Sequence, residues 1–345
     1  MSTRPLAISG SGMVCAVGLS APSACAAIRC GIDNAQETRF IDSGGEWIMG
    51  SRVPIEQSRR GAFRLIKMVT CALQECVASD PMLKLEQVPV LFCLAEEDRP
   101  GRLDDLNNQV FSGVQKELGI RLHDKSECFS QGRVSIAAAM QRARKLIFEN
   151  GLGQVIIAGV DSLLVGATLK SFEECGRLLT SQNSNGFVPG EAAAAILVEA
   201  PDGRAGLTCI GIGFGREKAT ISNAEIPLRA DGMVEAIHGA LDEAGCNLGI
   251  TDFRITDISG EQYAFKEATL ALLRVLRQRK EFYDIWHPAD CVGEVGAAIG
   301  PIMLAVLLAA GKKSYLVGNN ILAHWGTDSG NRAAMILAQR IERAD

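Results

Sequence analysis

The chain has 345 residues, of which 47% are hydrophobic and 22% are charged, and its formal net charge is −5. This profile is typical of a folded globular protein, and the acidic balance argues against a surface that coats nucleic-acid phosphates. The eleven cysteines form no C-x-x-C pair and no Cys/His cluster of metal-ligand spacing, so we expect reduced thiols, no metal and no cofactor.

The first half of the chain predicts alternating strands and helices. Residues 6–14 have a strand pattern, and Ser20, Pro22 and Gly31 are the residue types favoured at the cap, first turn and end of a helix. Periodicity then predicts helices at 60–78, 102–118 and 133–150, and strands at 88–94, 154–159 and 192–199.

The second half predicts a similar order. Its segments are strands at 207–214 and 253–258, helices at 232–244 and 264–280, an apolar helix at 295–310, and final segments at 314–318 and 332–338. Two α/β halves, 1–203 and 204–345, therefore predict a duplicated architecture in which sheets enclose buried helices.

Neither an export signal nor a membrane span is predicted. The N-terminus lacks a long apolar core and a cleavage site, and the stretch 295–311 contains Pro301 and is short for a bilayer span of roughly 20 residues. We expect a buried helix there, in a cytoplasmic protein.

Four segments carry motifs in one characteristic order. They are 7–18 with its Gly-x-Gly turn, 155–162 followed by Gly-Phe-Val-Pro-Gly-Glu at 186–191, Cys-Val-Gly-Glu-Val-Gly-Ala-Ala-Ile-Gly at 291–300, and the closing stretch 319–337. Together they resemble the β-ketoacyl synthase (3-oxoacyl-ACP synthase) branch of the thiolase superfamily. The resemblance implies the thiolase fold, an α/β protein with duplicated βαβαβ halves layered α/β/α/β/α.

The same resemblance implies a Cys-His-His active site, and this sequence departs from it. Condensing enzymes of the family use a cysteine at the start of a buried helix and two histidines that stabilise the developing anion. Glu294 stands at one histidine position and Ser259 at the other, while Arg133 or Val134 falls at the cysteine position. We expect Glu294 to cap the buried helix that follows it.

Cys128 is a rival nucleophile, because Cys-Phe-Ser-Gln at 128–131 is similar to the family's Cys-x-Ser-Gly elbow. The threading needs one extra residue in the turn. His287, the histidine nearest Glu294 in sequence, is the remaining candidate for an altered role.

The closing turn of the family, Gly-Phe-Gly-Gly-Thr-Asn, has an altered equivalent here. The resemblance places His324, Trp325, Gly326 and Thr327 in this turn beside the pocket. Trp325 replaces a glycine, and we expect its indole to fill the acyl channel.

The preferred hypothesis is a catalytically inactive thiolase-fold protein that acts as a binding or accessory partner. The resemblance extends to chain-length partners of polyketide synthases and to thiolase-like proteins associated with bacterial type VI secretion effectors. It implies a homodimer, or a heterodimer with another thiolase-fold chain, paired through the strand before Arg133. An acyl carrier protein or a secretion effector is a further expected partner.

Two alternatives remain open. The first is an active acyltransferase or condensing enzyme that uses Cys128 on an acyl thioester, with Glu294 or His287 in altered roles. The second is a nucleotide-binding α/β protein, which ranks last because Cys15 occupies the place of the third glycine in a dinucleotide fingerprint.

Overall fold

The computed structural model describes residues 4–55, 60–203, 206–223 and 225–340. Its strands are β1 (Leu6–Val14), β2 (Ala35–Ile41), β3 (Trp47–Ser51), β4 (Val90–Cys93), β5 (Glu127–Phe129), β6 (Gln154–Ser162), β7 (Glu191–Glu199), β8 (Gly206–Arg216), β9 (Phe253–Thr256), β10 (Ile285–Trp286), β11 (Asn320–Gly326) and β12 (Asn331–Arg340). Its helices are α1 (Ala21–Arg29), α2 (Ala62–Ala78), α3 (Leu106–Leu118), α4 (Ser135–Phe148), α5 (Gly166–Glu174), α6 (Asp231–Ala244), α7 (Gln262–Val275), α8 (Ala289–Val292) and α9 (Ile299–Lys312).

Ten of these strands form one sheet in the order β10-β9-β11-β12-β8-β1-β7-β6-β4-β5. The five strands of the first half and the five of the second follow the same internal order, reading inward from each edge. The two sets join through antiparallel pairing of β1 with β8, where Leu6 lies opposite Cys209. A separate two-stranded sheet is formed by β2 and β3.

Helices α4 and α9 fill the space between the two sets of strands. Both contribute to the largest hydrophobic cluster, which also takes side chains from β1, β6, β7, β8, β9, β11 and β12. Helix α9 is buried along nearly its whole length, as expected for 295–310. A helix that is apolar on every side requires neighbours on every side, and the layer between sheets supplies them.

The outer faces of the sheet are covered by different helices. Apolar side chains of α2 and α3 pack on β4, β6 and β7, while those of α6 and α7 pack on β11 and β12. The layers therefore run α/β/α/β/α, and the predicted fold class is confirmed. No helix in the described ranges combines the length and hydropathy that a membrane crossing requires.

Most predicted elements exist, with shifted ends. The strand at 6–14 has the predicted bounds, and Ser20 caps α1 by accepting from the Ser23 amide while Gly31 follows the helix at φ 66°. The predicted helix 264–280 is wrong beyond Val275, and 314–318 is not a strand because the chain turns there before β11 begins at Asn320.

The elements that were not predicted from the sequence are the hairpin β2–β3, helices α5 and α8, and strands β10 and β11. The division of the chain after residue 203 stays a prediction. Residues 204 and 205, where the second half was predicted to begin, lie outside the described residues.

Candidate functional site

The first turns of α4 and α9 meet at the centre of the molecule, and each is preceded by a short 3₁₀ turn that begins with glycine. Gly132 has φ 56° and Gly296 has φ 51°, a region that favours glycine. A Cβ at Gly132 would collide with the Glu96 carboxylate, and one at Gly296 would collide with that of Asp161. Both glycines therefore allow a carboxylate to approach a helix end.

Arg133 lies in the turn before α4, and its guanidinium is shared among three carboxylates. Its Nη1 is 3.0 Å from Glu294 Oε2, its Nη2 is 3.0 Å from Asp328 Oδ1, and its Nε is 3.6 Å from Asp257 Oδ2. The side chain is 15% exposed. A buried cation of this kind is stable only when it is paired, and here the pairing is complete on every nitrogen.

Glu294 is bonded to the residues at the other two positions where the family's catalytic residues were expected, Arg133 and Ser259. Its Oε2 accepts from Ser259 Oγ at 2.9 Å and from Arg133, and its Oε1 accepts from the Gly296 amide at 2.9 Å. The last bond is made to the first residue of the 3₁₀ turn that precedes α9. Helix α9 itself begins at Ile299 and has no side-chain cap, so Glu294 caps the preceding turn and not the helix as expected. Val134, the other residue considered for the cysteine position, is buried in the central hydrophobic cluster instead.

Arg177 extends the network on the side of Asp328. Its Nε and Nη2 donate to Glu261 at 2.8 and 2.6 Å, and its Nη1 donates to Asp328 Oδ2 at 2.5 Å. Burial alone would raise the pKa of Asp328, but Arg133 and Arg177 together hold that pKa below its usual range. Burial raises the pKa of Asp257, which Arg133 only partly offsets.

A second ion pair lies on the other side of the helix ends. Arg99 Nη1 and Nη2 donate to Asp161 at 2.6 Å each, and Asp161 Oδ2 accepts from the Ala297 amide at 3.0 Å. Glu96 stands beside this pair, and no hydrogen bond from its carboxylate to another side chain is found in the described part of the chain. Burial raises the pKa of Glu96, with Asp161 adding to the effect and Arg99 opposing it.

A cavity of about 690 Å³ opens beside this network. Its lining is mixed. The charged part includes Glu96, Arg99, Arg133, Arg177, Glu261, Glu294 and Asp328, and the apolar part includes Leu163, Phe172, Phe187 and Ile221. The cavity can hold a ligand, but its arginines are already occupied by carboxylates. No group of three or more metal-binding side chains exists within the described residues.

Cys128 lies in β5, half-buried, and is not among the residues that line this cavity. Its Sγ is 3.9 Å from the Asn107 carbonyl oxygen, and it packs against the cluster of α2 and α3. Burial raises the pKa of the Cys128 thiol to about 12. A thiol with that pKa carries almost no thiolate at neutral pH, so it is a poor nucleophile.

The two histidines considered from the sequence have other partners. His287 Nδ1 lies 2.6 Å from Asp290 Oδ2, and this hydrogen bond raises the His287 pKa. His324 is buried with Nδ1 3.3 Å from Thr256 Oγ1, and burial lowers its pKa to about 3. Neither hydrogen-bonds to Arg133 or Glu294.

The predicted position of the closing turn is corrected by the structure. His324, Trp325 and Gly326 lie in β11, because their register with β12 continues to the pair Gly326 and Arg332. The turn itself begins at Thr327, which follows the last residue of β11. The Thr327 amide donates to the Asn331 carbonyl at 2.9 Å and so closes the turn. Trp325 is fully buried in the central cluster, on the strand face that packs against the helix layer.

Several residues of the site were missed from the sequence, notably Asp257, Asp328, Arg177 and Glu96. One signal could have found two of them. Asp257 directly follows β9 and Glu96 follows β4, and the carboxyl ends of parallel strands meet where α/β proteins build their sites.

No protein-family model matches the chain. A curated relative, a putative polyketide beta-ketoacyl synthase 2 of Streptomyces cyaneus, is 29% identical over 130 residues, which are 37% of this chain and 30% of that protein. The match therefore spans less than a third of the curated relative.

Solved structures match over nearly the whole chain. The ishigamide ketosynthase/chain length factor has a TM-score of 0.79 at 16% identity, covering 99% of this chain and 100% of that one. A chain of the AntDE:AntF structure, an acyl-carrier protein in complex with its ketosynthase, has a TM-score of 0.81 at 15% identity, covering 98% of this chain and 100% of that one. The ketosynthase ApeO with its chain length factor ApeC from Xenorhabdus doucetiae has 0.77 at 14%, covering 98% of each chain.

The fold is therefore the thiolase fold in the form found in ketosynthases and chain length factors. The resemblance to β-ketoacyl synthases predicted from the four motif segments is confirmed.

Proposed function

We propose that the chain is a non-condensing thiolase-fold subunit that acts as the accessory partner of a second, ketosynthase-type chain. The observation that carries this proposal is the ion pair of Arg133 with Glu294 at the ends of α4 and α9. A ketosynthase needs a nucleophile and hydrogen-bond donors at this place. A guanidinium remains charged and cannot attack an acyl carbon.

The electrostatics of the site oppose the condensation reaction. Carbon–carbon bond formation from a malonyl-type donor places negative charge on a thioester oxygen, which donors must stabilise. Glu294 and Asp328 present carboxylates instead, and the Ser259 hydroxyl already donates to Glu294. Arg133 is likewise engaged by three carboxylates, whose negative charge offsets its attraction for an enolate.

The alternative of an acyltransferase using Cys128 has little support. The raised pKa of Cys128 disfavours the thiolate, and its nearest polar contact is a backbone carbonyl rather than a base. His287 is paired with Asp290, and Glu294 with Arg133. None of these three groups activates another.

The proposed interface is the outer edge of β5, the last strand of the sheet on the side of the first half. β5 pairs with β4 along one edge only, with Cys128 opposite Phe92, and its three side chains are half-buried. An open edge beside partly covered apolar groups suits pairing with an equivalent strand. Two similar solved structures are named as ketosynthases with a chain length factor, which supports a heterodimer.

An acyl carrier protein is proposed as a transient partner of that pair. The AntDE:AntF structure is named as an acyl-carrier protein in complex with its ketosynthase, and a chain of that structure shares this fold. A role beside a secretion effector stays a prediction from the sequence resemblance.

The interface is tested by site-specific photo-crosslinking in the cells that produce the protein. A photoreactive residue replaces Glu127 in β5, and a control carries it at Glu281, an exposed residue just before β10 at the opposite edge. We expect the Glu127 position alone to capture a second thiolase-fold chain that retains a Cys-His-His set. Capture only of another copy of this chain, or of nothing, would overturn the proposed heterodimer.

A further inference from the structure

A second cavity, of about 480 Å³, lies between β2, the start of α2 and the loops that follow β4 and β6. Six arginines and two glutamates line it, although the whole chain is acidic. The arginines are Arg39, Arg52, Arg60, Arg64, Arg99 and Arg102. Such a concentration of one charge in a concave surface focuses positive potential inside it.

Two of the six arginines are neutralised. Arg64 Nε donates to both oxygens of Glu191 at 2.9 Å, and Arg99 is paired with Asp161. These two pairs are buried and form the floor of the cavity. These two arginines have a structural role and are not free to bind a ligand, because each guanidinium is paired with a carboxylate.

The remaining four have no carboxylate partner among the described residues. Arg102 donates only to neutral oxygens, including Asn107 Oδ1 at 2.8 Å and the Ala95 carbonyl at 3.3 Å. Arg39, Arg52 and Arg60 are exposed at the rim and come from three separate segments of the chain. Among the described lining residues, Glu37 is the one acid left to offset these four positive charges.

The rim arginines repel one another. The pKa of Arg52 is lowered, first by its partial burial and then by Arg64, with Arg39 and Arg60 adding to the effect and Glu191 opposing it. Like charges held together in this way are relieved by a bound anion. The guanidinium fork is also the side-chain group best matched to the oxygens of a phosphate.

Part of the wall between the rim and the paired floor is apolar. It is formed by Phe40, Leu65, Leu103, Leu106, Leu164 and Val165. A cationic rim beside an apolar wall suits a ligand that has an anionic head and a hydrocarbon portion. We propose that this cavity binds an organic phosphate, with its phosphate at Arg39, Arg52 and Arg60 and its apolar portion inside.

The proposal is independent of the condensation chemistry and is tested by direct binding. Isothermal titration with monomeric n-octyl phosphate should show one site, while inorganic phosphate alone should bind more weakly and octyl glucoside should not compete. Equal affinity for inorganic phosphate and octyl phosphate would overturn the assignment of the apolar portion. Failure of octyl phosphate to bind would overturn the site, leaving an acidic protein segment as the occupant.

Variants locate the site. The double variant Arg39→Gln, Arg52→Gln should weaken octyl phosphate binding roughly tenfold for each arginine removed. The matched control is Arg277→Gln, Arg279→Gln, which removes two exposed charges that do not line the cavity. Without ligand, the first variant should melt no lower than wild type, because it relieves repulsion. Equal loss of binding in both variants would contradict the proposed location.

Discussion

Arg133 Nη1 lies 3.0 Å from Glu294 Oε2, so the segment that leads into one central helix is bonded to the segment that leads into the other. The two residues are 161 positions apart in sequence. In condensing enzymes that the chain resembles, a cysteine and a histidine are expected at these positions. In this chain the residues assigned to those positions form an ion pair, and Ser259 and Asp328 are bonded to it.

Replacing Arg133 with Met should strongly destabilise the protein. Glu294 and Asp257 would then be left buried without their shared cation, whereas Asp328 would keep Arg177. Removing one partner of a buried pair costs about 3–5 kcal/mol in free energy of unfolding. Denaturant unfolding measures the loss.

The matched variant Arg133→Met, Glu294→Gln should recover part of that loss, since it removes one uncompensated carboxylate. If the double variant is as unstable as the sum of the two single variants, the pair does not interact and the network has been misassigned.

Glu96 should make the protein less stable as the pH rises. Burial raises its pKa above the ordinary value of 4.5, so the folded state holds a proton that the unfolded state releases. The unfolding free energy should therefore fall between pH 4.5 and the raised pKa. Replacing Glu96 with Gln should remove this dependence and raise the melting temperature at neutral pH but not at pH 4.

Glu97→Gln is the control for that experiment, because Glu97 is the exposed neighbour. An equal gain from both variants would point to a general charge effect instead of a buried carboxyl group.

Cys128 should react with a thiol label more slowly than the exposed cysteines. Burial raises its pKa to about 12, whereas Cys30 and Cys175 are exposed, and Cys175 lies at the large cavity. Iodoacetamide at neutral pH should therefore modify Cys30 and Cys175 first, as followed by peptide mass spectrometry. Preferential labelling of Cys128 would show an activated thiol and revive the acyltransferase alternative.

Much of the fold could be predicted from the sequence because its signals are local. Strand β1 and the cap of α1 depend on neighbouring residues, and the motif at 291–300 placed Glu294 before a buried helix. Ser259 was assigned to a histidine position of the family because it precedes Gly260, and in the structure its Oγ lies 2.9 Å from Glu294 Oε2. The hairpin β2–β3 was missed because β2 is largely exposed and the sequence of neither strand alternates apolar with polar residues.

The ion network could not be predicted in the same way. Arg133 bonds to Asp328 across 195 residues, and Arg177 to Glu261 across 84. Such pairs leave no periodic pattern in the sequence, because they form only when the strand ends of both halves converge. The closing turn was misplaced by a few residues for a similar reason. Trp325 belongs to β11 because a partner strand pairs with it.

Replacing Glu294 with His should not create condensing activity. The substitution supplies one imidazole, but Ser259 remains at the other histidine position and Arg133 at the nucleophile position. It also removes a carboxylate from Arg133, so a lower melting temperature is expected. Robust formation of a β-ketoacyl product by this single variant would refute the interpretation that the site lacks several groups at once.

The most direct test of the account is incubation of the wild-type protein alone with an acyl-carrier thioester and a malonyl-carrier thioester. Product analysis and intact-protein mass are recorded together. We expect no β-ketoacyl product, because a guanidinium stands at the expected nucleophile position and the carboxylates of Glu294 and Asp328 oppose the negative charge of an oxyanion. One oxyanion donor alone can be worth roughly 10²–10³ in rate. A β-ketoacyl product formed at catalytic turnover and abolished by Cys128→Ala would contradict this expectation.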